Sequence, residues 1–159
     1  MKYFFLTSVI LLFSLAPSFA QVTVSTESME LDVVAKRAVA KGNSVFIDLV
    51  ITCNADWDQV GVDRCEVYDD EGNYYSLWDA YGNGGFRIDI LENGERIPNP
   101  SGACPIKIAK GIPRKVRILV KAVDEYATEF KLIKIQWRGN MVFRHDINTT
   151  IKDLPITRE

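Results

Sequence analysis

Residues 60–75 constrain the fold more than any other part of the chain, because they read as strand, polar turn and strand. Cys65 and Val67 fall on one parity, and Arg64, Glu66 and Tyr68 on the other. That alternation is the period-2 signature of a half-buried strand. Asp69-Asp70-Glu71-Gly72-Asn73 then supplies Asp, Gly and Asn, which accept the backbone angles of a hairpin turn. Tyr74 and Tyr75 open a second, aromatic strand.

The same reading extends along the chain. Residues 29–40 alternate, with Leu31, Val33, Ala35 and Val39 on one face and Asp32, Lys36 and Ala40 on the other. Lys41-Gly42-Asn43 turns the chain. Val45, Ile47, Leu49, Ile51 and Cys53 form the inward parity of the next strand. Phe86, Ile88 and Ile90 alternate with Arg87 and Asp89, and Glu92-Asn93-Gly94-Glu95 is a further turn. Pro98, Pro100 and Pro105 exclude a central strand between 97 and 105, since each removes a ladder donor. Ile106 and Ile108 suggest a short strand. The cleanest alternation is 114–123, with Val116, Ile118, Val120 and Ala122 against Lys115, Arg117 and Lys121. Strands at 130–138 and 141–147 follow, joined by Gly139-Asn140 as a two-residue hairpin. Residues 149–159 read as a tail able to pack along an edge.

About eight short strands with turn signals between them, and no convincing helix, predict an all-β antiparallel β-sandwich. Its core is expected to draw Cys65, Val67, Ile47, Leu49, Ile118 and Val120 from both sheets. Ile118→Ala is then expected to cost about 2–5 kcal/mol. Lys121→Ala, on the opposite parity, is expected to cost less than about 0.5 kcal/mol.

The first twenty residues read as a cleaved signal peptide. Lys2 gives a positive start, residues 4–15 are an apolar run too short for a comfortable span, and Ser18-Phe19-Ala20 is a small-residue cleavage site. Cleavage falls between Ala20 and Gln21. Residues 21–29 are then a mobile N-terminal arm, 30–156 the folded domain and 157–159 the C-terminal end. The expected location is the periplasm or the extracellular space, with no membrane span after cleavage. Residues 1–20 hold one Lys and no acid, so the mature chain has 18 basic and 21 acidic residues, net −3. That balance makes no electrostatic case for nucleic acid.

An oxidising compartment makes one disulfide plausible among Cys53, Cys65 and Cys104. Cys53 and Cys65, on neighbouring strands and inward parity, are the favoured pair. Cys65 with Cys104 is the rival, and three small buried thiols are the alternative.

Several features resemble secreted bacterial immunoglobulin-like domains of unknown function, commonest in Gram-negative gut anaerobes. They are the Cys65-Glu-Val-Tyr-Asp-Asp-Glu-Gly-Asn-Tyr-Tyr75 turn, the Ile108-Ala-Lys-Gly-Ile-Pro-Arg-Lys-Val116 step and the closing Ile151-Lys-Asp-Leu-Pro-Ile156. The resemblance covers most of residues 30–156. It implies an immunoglobulin-like sandwich and carries no catalytic, cofactor or binding residue. The cysteine-and-tryptophan core of antibody domains is not matched.

Enzymatic constellations are sparse. His145 is the sole histidine, between Arg144 and Asp146 on an expected strand, with no Gly-x-Ser-x-Gly elbow. One His and three scattered Cys do not make a zinc set. Asn54-x-Asp56-x-Asp58 begins like a calcium loop, but Gln59 stands at its glycine position and Cys65 at its bidentate Glu. No catalytic residue, metal or cofactor is therefore assigned. Trp57, Tyr74, Tyr75 and Tyr81 lie in or beside loops and form a candidate aromatic binding surface, joined by Trp78 and Phe86 where these are not core. The expected function is a non-enzymatic, exported interaction module for a protein or cell-envelope polymer. A carbohydrate-binding module using the loop aromatics is the alternative. A small hydrolase acting through carboxylates alone is the second alternative.

Overall fold

The computed structural model describes residues 21–77, 88–98, 103–139 and 145–159. The leader 1–20, Trp78, Tyr81 and Phe86 lie outside them. The strands begin with β1 (Thr23–Thr26), β2 (Leu31–Lys41), β3 (Ser44–Cys53) and β4 (Gln59–Asp69). Next come β5 (Tyr74–Ser76), β6 (Ile88–Glu92), β7 (Glu95–Arg96) and β8 (Cys104–Lys107). The last are β9 (Arg114–Val120), β10 (Glu129–Gly139) and β11 (His145–Arg158). The described residues are all-β, without a helix.

Hydrogen bonding runs through the order β5-β4-β10-β11-β2-β3-β9-β6-β7, with β1 on β11 and β8 on β4. The strand count exceeds eight. The sheet is mixed, since β11 meets β2 in parallel at Ile156↔Ala38 to Arg158↔Ala40. Every other pairing is antiparallel. One contiguous apolar cluster draws on both halves of the sheet. It joins Ile47, Leu49, Val116 and Ile118 to Cys65, Val67, Ile133 and Trp137. Hiding one apolar face of each half from water is what holds the sheet curled on itself.

β3 and β9 alternate as their sequences dictate: Val45 to Cys53 and Val116 to Val120 bury every second residue. In β4, Cys65 and Val67 are buried as expected. β2 obeys its pattern only as far as Ala35. A bulge between Ala35 and Arg37 inserts Lys36, so the parity flips. Ala38 and Ala40 therefore join the core cluster, while Val39 is buried as expected but lies outside that cluster.

The two ends of the domain differ from the sequence reading. The expected N-terminal arm is strand β1, paired from Thr23↔Lys152 to Thr26↔Thr149. The expected tail at 149–159 forms most of the 14-residue β11, which begins at His145 and links the two halves. Asp153 takes a positive φ of 54°, and Pro155 has no N–H to offer a ladder. The chain bends there, leaves β10 after Glu129↔Pro155 and continues onto β2. Gly139 pairs with His145, so the register is not that of a two-residue turn at Gly139-Asn140, and the expected strand residues 141–144 lie outside the described residues. Pro105 lies in β8, which pairs with β4 alone, and Pro100 lies outside the described residues.

Most interior polar groups find local partners, but Asp89 Oδ1 and Arg138 Nε are buried without a hydrogen bond among the described residues. Trp137, fully buried, donates its Nε1–H to Thr149 Oγ1 at 2.9 Å. Thr149 Oγ1 also lies 3.1 Å from Thr26 Oγ1. Asp89, 6 % exposed, meets Lys121 Nζ at 2.5 Å and Arg96 Nε at 3.0 Å. Lys121 is thus the counter-ion of a buried carboxylate, a contact that argues against the expectation that its loss is silent.

Candidate functional site

The outward face of β2, β3, β9 and β6 carries a registered row of side chains. Leu91 of β6 pairs with Arg117 of β9, Arg117 with Asp48 of β3, and Asp48 with Arg37 of β2. In the neighbouring row Lys115 pairs with Val50, and Val50 with Val34. The β2 bulge lets the consecutive basic residues Lys36 and Arg37 line the same concavity. Asn93 and Gly94, with φ of 54° and 88°, form the two-residue turn between β6 and β7 and wall its far side. Both central positions at positive φ are what this hairpin type demands, and Asn-Gly meets it. The result is a groove of about 520 Å³ with a partly apolar floor and a basic rim.

Asp48 organises the rim. Its Oδ2 accepts from Arg37 Nε at 2.7 Å and its Oδ1 from Arg117 Nε at 2.6 Å. Burial alone pushes the Asp48 carboxyl up, but hydrogen bonds from Arg117 and Arg37 outweigh it and hold the group below the usual carboxylate range. The Arg117 guanidinium also lies over the Phe46 ring at 5.5 Å, a cation–π contact. Both arginines use Nε, so their terminal nitrogens make no hydrogen bond among the described residues. A smaller recess of about 100 Å³ adjoins the groove. It shares Arg37, Asp48 and Arg117 and adds Val39, Lys41, Phe46 and Glu159.

The opposite half presents a polar depression of about 340 Å³ between Glu27, Arg64, Glu66, Lys134, Gln136, Asn148 and Thr150. Asn148 Nδ2 donates to Glu27 Oε2 at 2.8 Å. On the same face of β4, Tyr68 meets Tyr74 with centroids 5.0 Å apart and planes at 44°.

The aromatic surface expected from the sequence is not assembled. Of its members, Tyr74 is exposed at 48 %. Tyr75 is buried, because its partner Val67 faces inward and its hydroxyl donates to Asp69 Oδ2 at 2.8 Å. Trp57 is half-buried and packs against the core. Its ring lies so close to Gly139 that a Cβ there would meet it at 2.4 Å. Tyr81 lies outside the described residues.

Cys53, Cys65 and Cys104 are buried free thiols, so the Cys53–Cys65 bridge is not formed in this structure. Burial pushes all three thiols up, Cys104 to about 11. The acidic turn holds itself together. Asp69 Oδ1 accepts from the backbone of Glu71 and Asn73, and Asp70 accepts from Thr128. Asn54 donates its amide to the Met29 carbonyl. Among the described residues no cluster of three or more His, Cys, Asp or Glu is placed to hold a metal. Of His145 only the backbone is described, paired with Gly139.

Sequence reading did not single out Arg37, Asp48 and Arg117. The signal was Asp48 itself, the one charge inside an otherwise apolar strand of Val45-Phe46-Ile47-Asp48-Leu49-Val50-Ile51.

No protein-family model matches the chain, and no curated protein matches it. Among solved structures, one described as "X-ray structure of Northeast Structural Genomics Consortium target SoR45" is similar over 86 % of each chain. It shares 8 % identity at a TM-score of 0.34, too distant a likeness to bear on fold or function.

Proposed function

We propose that this chain is an exported, non-enzymatic binding module built as an immunoglobulin-like sandwich, and that its ligand surface is the basic groove on β2, β3, β9 and β6. The groove is the observation that carries the reading. Its volume falls within the usual range for ligand sites, and its arginines are held in place before any ligand arrives. The common core beneath both halves of the sheet supports the sandwich. The leader-like first twenty residues support export to the periplasm or beyond. The engagement of the buried acids supports a binding role over a carboxylate hydrolase. Asp69 is held by Tyr75 and Asn73, Asp89 by Lys121 and Asp63 by Arg138.

A second reading places a neutral glycan on the opposite face, where Tyr68 and Tyr74 flank the polar row through Arg64, Gln136 and Asn148. The 44° tilt of the two rings makes a poorer stacking platform than a coplanar pair.

Amide hydrogen exchange on mature protein, screened against envelope polymers and glycans, tests these readings. The expected result is ligand-dependent protection around residues 48–50, 91–94 and 115–117. Protection confined to the Tyr68–Tyr74 face selects the second reading. Turnover of any ligand sinks the non-enzymatic assignment.

A further inference from the structure

We infer that the groove is a site for an acidic polysaccharide, read through the paired guanidinium groups of Arg37 and Arg117. The inference rests on the groove reading above and adds the chemistry of its ligand. Four cationic side chains line the groove, Lys36, Arg37, Lys115 and Arg117, against one carboxylate, Asp48. That carboxylate is saturated by the two Nε–H donors. Each arginine therefore keeps its terminal N–H groups for an oxyanion, in the fork geometry that suits carboxylate and sulfate. Arg37 and Arg117 are 60 % and 40 % exposed at the side chain, so both are within reach of a ligand.

The arrangement selects for a polymer. The backbones of the two arginines stand on β2 and β9 with β3 between them, about 10 Å apart at strand spacing. Their Nε atoms converge on the two oxygens of Asp48, while Lys36 and Lys115 extend the cationic surface beyond that pair. A single small anion engages one fork, whereas four cations spread over the groove need several acid groups on one chain. The apolar floor at Val50 and Leu91 lets carbon-rich surface settle between the acid contacts.

The backbone beneath the groove favours sugar over peptide. β3 is paired on both edges, with β2 and with β9. An extended acidic peptide lying on this face finds no ladder for its own N–H and C=O groups, which need partners when desolvated. A polysaccharide has no backbone ladder to complete, and its hydroxyls can turn to the polar rim or stay in water.

Titration calorimetry on the mature protein tests this with polygalacturonate, dextran sulfate, neutral dextran and polyglutamate. The two acidic polysaccharides are expected to bind, more weakly as salt rises, and the tighter one identifies the preferred acid. Arg37→Gln and Arg117→Gln should each weaken binding about tenfold, the loss of one charge-assisted contact. Lys110→Gln, an exposed turn residue outside the groove, should leave it unchanged. Asp48→Asn makes the groove more positive while removing the acceptor of one arginine and the charge that holds the other, and it is expected to weaken binding. Melting curves confirm that each variant is folded, and Arg37 is exposed enough for its variant to fold.

Four results overturn the inference: neutral dextran binding as well as the acidic polymers, polyglutamate matching polygalacturonate, an unchanged Arg37→Gln, or tighter binding by Asp48→Asn. A neutral ligand that still protects residues 48–50 and 115–117 from exchange leaves the groove reading standing and removes only the acidic chemistry. An acidic polysaccharide that protects the opposite face removes both.

Discussion

Gly139→Ala is a probe of how the end of the core is closed. Gly139 is buried at the end of β10, and an added Cβ would stand 2.4, 2.6 and 3.0 Å from three atoms of the Trp57 ring. Its φ lies outside the left-handed region, so alanine meets no backbone obstacle. Without the ring, the change should stabilise the protein by about 0.4–1 kcal/mol through the unfolded chain. With the ring in place, either the indole or β10 must shift, and overpacking of this kind costs about 1–3 kcal/mol. The two backgrounds should therefore differ by roughly 1.5–4 kcal/mol as a coupling between positions 57 and 139. The assay is urea denaturation of four proteins: wild type, Gly139→Ala, Trp57→Ala and the double variant. Gly139→Ala should lower the urea midpoint, and Trp57→Ala should cost less in the alanine background than in the glycine one. A neutral or stabilising Gly139→Ala in the presence of Trp57, or the absence of coupling, refutes the packing argument.

Lys121→Ala should destabilise by about 1–3 kcal/mol, because it strips one of two cations from the buried Asp89. Ile118→Ala, from a fully buried site, should cost about 2–5 kcal/mol; equal melts for wild type and Lys121→Ala count against the ion pair. At pH 8 the native protein should not react with a thiol reagent, since the three cysteines are buried and their thiols pushed up. After denaturation three thiols should titrate, and only one would mean that a disulfide forms. Tyr75 is pushed by burial, then by the Asp69 hydrogen bond, from its ordinary value near 10 to about 12. The native state therefore keeps the Tyr75 proton after the unfolded chain has lost it, and that stability is full below pH 10 and lost as pH rises through 12. Stability should fall across that window, and Tyr75→Phe should flatten the part due to this residue; an unchanged slope in Tyr75→Phe argues against it.

The strands legible from sequence were those whose partners impose one continuous inward face. β3, β9 and the end of β4 bury every second residue, and that demand writes itself into the chain as alternation. The Asn93-Gly94 turn was legible for the same local reason, since few residues accept two positive φ angles. β11 was not. Asn148-Thr149-Thr150 looks solvated and Pro155 looks like a stop, yet Thr149 is buried against Trp137, a partner that only the register supplies. The β2 bulge at Lys36 carries no local signature that separates it from regular alternation. For the site, Asp48 was visible as a misplaced charge, but Arg37 and Arg117 come to it from two other strands. Tyr75 shows the reverse case, where loop proximity suggested a surface ring and pairing with Val67 turned it inward.

The crossing of β11 from one half of the sheet to the other has a consequence for the order of assembly. Ile156 lies against Ala38 in parallel, so this pairing joins segments separated by nearly the whole described chain. The β2-β3-β9 half and the β4-β10 half can each gather its own hairpins early. The hydrogen-bonded link between them forms only once β11 has been synthesised and has bent at Asp153. Such late, distant closure slows folding, because the entropy of a long loop is lost before the contacts that reward it form. Until then the chain is two unfastened leaves with their apolar faces available to water, a state suited to being carried or threaded and poorly suited to standing alone.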